Sequence, residues 1–227
     1  MRFLSLLKNE LRFAAKYGIL PLYILLSAFY VVLLSAIPEG ARQTTGAILI
    51  FTDPAAMGLF FMGAVMLLAQ SQRVNHALSV SPVTVSEYIL SKVLPMLITG
   101  TAAGAAIGVA AGADLAGVLW AVMLSSFLFS LAAILVAVKT DSLNSFMLGV
   151  VPFELFLSIP ALLYLFGVIK SDLWVIHPGV SAIIPLMGKR RLWLYCAISL
   201  GLWNMAAFFT CSKAVSRSMR QLGGGRL

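Results

Sequence analysis

Two acids, Asp53 and Glu154, fall inside apolar runs of the sequence, and they are the residues with the strongest claim to chemistry. An unpaired ion at the centre of a membrane helix costs at least about 2.5 to 3.5 kcal/mol even on the lenient insertion scale, so each must be neutralised, paired or wetted. Asp53 precedes Pro54 in the run Phe51-Thr52-Asp53-Pro54-Ala55-Ala56-Met57-Gly58. That order favours an aspartate capping a helix that Pro54 begins, with contact to a substrate as the alternative. Glu154 follows Pro152 and has no cation near it in sequence, which leaves protonation, a partner on another helix, a structural hydrogen bond or a wet cavity. The histidines, His76 and His177, are too far apart to suggest a metal site, and each reads as a solvated or capping loop residue. Cys196 and Cys211 stand on one expected helix and its exit, about 22 Å apart along the axis, and cannot pair within the chain. They read as small apolar fillers.

Other chemistries lack their parts. The sequence has no G-x-x-x-x-G-K-[ST] phosphate loop, no H-E-x-x-H helix, no G-x-S-x-G elbow and no carboxylate cluster spaced to hold magnesium. The chain is therefore not expected to be an enzyme, and it should carry no cofactor or metal of its own.

The elements that must position these residues follow from composition. Of 227 residues, 61% are hydrophobic and only 11% charged, against roughly a quarter charged in an average soluble domain. Mean hydropathy is +1.00. The apolar excess must face lipid, so the fold class expected is all-α and polytopic, a single membrane domain over 1–227. The first 17 residues place Phe3, Leu4, Leu7, Leu11, Ala14 and Ala15 on one helical arc, with Arg2, Lys8, Arg12 and Lys16 on another. This is an amphipathic interfacial helix, and no signal cleavage is expected. Six spans follow at about 18–37, 47–69, 93–111, 115–138, 146–169 and 192–209, with a basic tail over 210–227. The stretch 174–187 is apolar but broken by Pro178-Gly179 and Pro185, and reads as re-entrant or as short helices at the outer surface. Gly100, Gly104 and Gly108 share one helical face, which implies tight packing inside the subunit, with a subunit interface as the alternative.

The net charge of +8 answers to anionic lipid and to the positive-inside rule rather than to nucleic acid. Counting Lys and Arg puts both termini in the cytoplasm. Lys189, Arg190 and Arg191, on the outer side, run against that count. The cytoplasmic connector 70–92 contains a T-x-x-E capping box, Thr84 and Glu87, directly before an apolar run, and Ser81-Pro82 turns the chain ahead of it. Val74, Ala77, Leu78 and Val80 amid polar residues suit either a short helix on the membrane surface or an ordinary turn.

These features together resemble the permease subunits of ABC-2 type ATP-binding cassette transporters, in particular the bacterial fluoroquinolone export permeases. The resemblance spans nearly the whole chain: the basic amphipathic start, six spans, Asp53-Pro54 and Gly58 with Phe60-Phe61, Ala77-Leu78 leading to Ser81-Pro82 and Glu87-Tyr88 through Lys92, and His177-Pro178 before the last span. It implies that two such permeases, identical or related, pair in the bacterial inner membrane, and that separate cytoplasmic ATPase subunits bind below and hold ATP-Mg. It further implies that the connector over 73–87 seats in an ATPase groove, which makes Arg73, His76, Leu78, Ser81, Pro82, Glu87 and Tyr88 the coupling residues. Faces of spans two and five would line the path, giving Asp53, Phe60 and Glu154 as candidate path or gate residues. The function implied is an exporter subunit for apolar or amphipathic compounds. From the residues alone a proton-coupled secondary carrier remains the alternative, with Glu154 as its relay.

Overall fold

The computed structural model describes residues 2–71 and 83–222, and every described element is helical. The order is α1 (Arg2–Lys16), α2 (Ile19–Ser35), α3 (Glu39–Ile50), a π turn (Phe51–Ala55), α4 (Met57–Ser71), α5 (Val85–Ala110), α6 (Leu115–Ala137), α7 (Leu143–Leu165), a 3-10 turn (Asp172–Ile176), α8 (Pro178–Leu186), a second 3-10 turn (Arg190–Leu192) and α9 (Trp193–Leu222). Five helical runs are long and apolar enough to cross a membrane, or six if α1 and α2, bent by 61° at their junction, count as one. The bend sits at Gly18, whose φ of 81° lies in the left-handed region that a residue without Cβ adopts freely.

The core is graded. The apolar window of α6 is 67% buried and that of the run Glu39–Ala69 is 61%, whereas those of α7 and α9 fall to 22% and 17%. Helix α6 is thus the central post, with α4, α5, α8 and α9 packed on it. The outer helices present large side chains such as Leu148, Leu155, Leu194, Ile198 and Leu202 to the surroundings, a pattern suited to hydrocarbon. Without a hydrophobic drive between helices in lipid, close packing has to come from small residues. The Gly100 face does this inside the chain: a Cβ there would lie 2.5 Å from the Pro54 carbonyl oxygen, and at Gly104 and Gly108 it would lie 3.0 and 3.1 Å from Val122 and Val118 of α6.

Four differences from the sequence expectation have local causes. The second span starts at Glu39 rather than 47, because the polar residues Arg42, Gln43, Thr44 and Thr45 continue the helix at its end, with Arg42 donating to the Ile37 carbonyl at 3.1 and 3.3 Å. Asp53 does not cap a helix: residues before it are already helical, and Pro54 is absorbed by the π turn, whose wider ring avoids the proline clash with the preceding turn. Of the two readings of the 174–187 stretch, the surface one fails: the segment 178–186 is a short helix buried on all sides, and Gly179 lets it press against the Leu157 backbone of α7. The last helix does not stop near 209; it runs to Leu222, with Cys211 and Val215 buried along it.

Candidate functional site

At one end of the bundle the chain enters α5 through the capping box read from the sequence. Thr84 accepts a hydrogen bond from the Glu87 amide at 3.2 Å, and the Glu87 carboxylate accepts from the Thr84 amide and hydroxyl, both at 2.9 Å. One turn on, Tyr88 is buried with its hydroxyl 3.4 Å from the Met66 sulfur of α4. Of the coupling residues implied by resemblance, Glu87 and Tyr88 are therefore at the start of α5, while Arg73, His76, Leu78, Ser81 and Pro82 lie outside the described residues.

A further turn along α5, Lys92 is almost fully buried and makes a 2.6 Å ion pair with Glu10 of α1. The amphipathic helix is thus fastened to α5 by charge as well as by buried Ala14. A buried ammonium requires such a partner, and Glu10 is the sole acid in the first 38 residues, so the pair had a sequence signal. The expected span began at Val93, one residue too late to notice it.

Above this point α1, α2 and α5 enclose an open groove of about 580 Å³, walled mainly by Leu20, Ile24, Ala28, Val31, Ile98 and Ala102. Its walls are apolar except at Tyr23, Ser27 and Thr99, and Thr99 has already given its hydroxyl proton to the Pro95 carbonyl. The Tyr23 hydroxyl donates to Asp53 Oδ1 at 2.9 Å, and Tyr30, one heptad further along α2, lies within electrostatic reach of the same carboxylate. The second Asp53 oxygen is buried with no hydrogen bond among the described residues. Phe61 packs edge-on against Tyr23 at 5.5 Å, whereas Phe60 points outward and is 36% exposed. The phenylalanine that packs on Tyr23 is thus the second of the pair.

Glu154 sits apart from this arrangement. It is half-buried on α7 and accepts from Ser158 of the same helix at 2.7 Å, and its other oxygen is buried and unbonded among the described residues. The i, i+4 spacing of an acid and a hydroxyl was a legible cue. Glu154 and Asp53 share no hydrogen-bond partner, and Glu154 is not part of the groove wall.

The opposite end of the bundle accounts for two cations of the 189–191 cluster. Arg190 Nε donates to Asp114 at 2.6 Å, a contact that holds the Asp114 carboxyl below its ordinary range, and Asp114 also caps α6 by accepting from the Ala116 amide. Lys189 donates to the Tyr164 hydroxyl at 3.3 Å and lies over its ring, while Tyr164 donates to Asp172 at 3.0 Å. His177 is not a solvated loop residue: its ring packs against Phe156 and Trp174, and its side chain does not cap α8. Among the described residues no three His, Cys, Asp or Glu side chains converge as a metal set would.

No protein-family model matches this sequence, and no curated protein matches it.

Proposed function

We propose that the chain is the membrane-spanning permease subunit of an ATP-driven exporter for apolar or amphipathic compounds, working in a bacterial cell membrane with both termini in the cytoplasm. In this reading it pairs with a second permease and is driven by separate cytoplasmic ATPase subunits that hold the ATP-Mg. A chain without a nucleotide-binding motif has to take its drive from a partner or an ion gradient.

The observation that carries the reading is the make-up of α5. One continuous helix bears the capped entry at Thr84 and Glu87, the Lys92 ion pair to α1, the groove wall at Ile98 and Ala102, and the Gly100 contact with the Pro54 carbonyl at the broken turn. A push at the capped end therefore reaches the groove and the break along one helix, with Pro95 between the two ends as a second point where the ladder is interrupted. The π turn, where the i to i+4 ladder is interrupted, is the natural place for the long helix to flex. ATP-induced closure of the motor subunits would move α5, and their differential affinity for the two arrangements would supply the drive. An apolar groove open to the side suits cargo that arrives dissolved in lipid.

The decisive experiment is recovery of the chain in mild detergent followed by reconstitution with and without the ATPase subunit that accompanies it. Cargo flux that requires both ATP and that subunit supports the reading. Robust flux by the chain alone down a proton gradient replaces it with the secondary carrier, for which the half-buried Glu154 carboxylate would be the relay. Glu154→Gln should abolish flux in a gradient-driven carrier and only modulate it in an ATP-driven one.

A further inference from the structure

The capped end of α5 and the last turns of α9 flank a second, wide-open pocket of about 420 Å³, lined by Val85, Phe209, Ser212, Lys213, Ser216, Arg217 and Arg220. These α9 positions fall at i, i+3/i+4, i+7/i+8 and i+11, so they form one stripe about 16 Å long. The stripe changes character along its length. Phe209, 61% exposed, stands at the apolar end of the stripe, and the three cations follow it on the same face toward the C-terminus. None of the three is in an ion pair among the described residues. The nearest acid in sequence to Val85, Glu87, is engaged by Thr84. Two further observations point to an occupant. The Ser212 hydroxyl is buried and bonds nothing among the described residues. The N-terminus of α5, a 26-residue helix, reaches the same wall at Val85, with the Glu87 carboxylate of the capping box offsetting part of its positive end.

We infer that this cavity is a binding site for the headgroup of an anionic phospholipid, with the phosphate among Lys213, Arg217 and the Ser212 hydroxyl and an acyl chain lying along Phe209. The gradient from aromatic to cation within one cavity is what selects an amphiphile: a free phosphate ion would use the cations and leave Phe209 without a role. The site is separate from the groove between α2 and α5 and does not depend on what that groove carries.

The test is native mass spectrometry of the full chain in detergent, titrated with phosphatidylglycerol, with phosphatidylcholine and with inorganic phosphate. The wild type should retain phosphatidylglycerol at least fivefold better than phosphatidylcholine. Retention should weaken roughly fivefold for each cation removed in Lys213→Gln and Arg217→Gln and less in Ser212→Ala, with unchanged helical circular dichroism. Lys8→Gln with Arg12→Gln, on α1, should change retention less than twofold. Equal retention of the two lipids, equal loss from the α1 variant, indifference to the double α9 variant, or displacement of the lipid by phosphate at matched concentration would each overturn the assignment.

Discussion

The Tyr23 hydroxyl donates a 2.9 Å hydrogen bond to Asp53, joining residues 30 positions apart on two different helical segments. The bond places the acid of the π turn against the wall of the apolar groove and makes Tyr23 the one groove residue in contact with a carboxylate. Tyr23→Phe should lower thermal stability in detergent by about 1 kcal/mol, because Asp53 loses its donor while remaining enclosed. Asp53→Asn should cost less than Asp53→Leu, since an amide still accepts from the hydroxyl. A double-mutant cycle between Tyr23→Phe and Asp53→Leu, each of which removes the hydrogen bond, that gives no coupling energy would separate the two residues functionally.

The Glu10–Lys92 pair should respond asymmetrically to mutation. Lys92→Met leaves an acid facing a packed helix and should cost about 3 kcal/mol, whereas the double change Lys92→Met with Glu10→Leu should recover most of that loss. Chemical denaturation of both variants in the same micelles reads the difference, and equal losses would argue against an energetic pair.

Gly100 and Gly104 should differ although they share a face. A methyl at Gly100 meets the backbone oxygen of Pro54 at 2.5 Å, which cannot turn away, while one at Gly104 meets the tip of Val122 at 3.0 Å. Gly100→Ala should therefore destabilise by about 1 to 3 kcal/mol and Gly104→Ala by clearly less, measured as shifts in melting temperature. The reverse order would mean that the π turn yields more easily than the side chain does.

Acid should act through Asp114. Its carboxyl is held below the ordinary range, first by the hydrogen bond from Arg190, so the stabilisation is present above the unfolded value of about 3.9 and is lost as pH falls through the lower folded value. The difference in melting temperature between wild type and Asp114→Asn should be constant from pH 7 to pH 5 and shrink below about pH 4. It should also shrink with added salt at pH 7, since Arg190 is exposed.

What the sequence disclosed was local or compositional. The Thr84 and Glu87 box, the Gly100 face, the separated cysteines and the helical, apolar character of the chain are each set by overall composition or by residues no more than 15 positions apart, and the structure agrees with all of them. What it concealed depends on contacts between distant segments. Asp53-Pro54 has the local signature of a helix start, and only the helix already running through Ile50 turns it into an interruption. Pro178-Gly179 has the signature of a turn at the surface; that it seeds a helix enclosed by α6, α7 and α9 depends on those three being in place. Tyr23 carried no pattern of its own and Lys92 was legible only through Glu10, the sole acid in the first 38 residues; the importance of both comes from the acids they meet.

The two acids also differ in how they constrain movement. The donor to Glu154 rides on the same helix, so α7 can roll or slide against its neighbours and carry its carboxylate and hydroxyl along as one piece. Asp53 is held from another segment, so any separation of α2 from the interrupted helix must first unfasten it. One acid is luggage on its own helix; the other is a clasp between two.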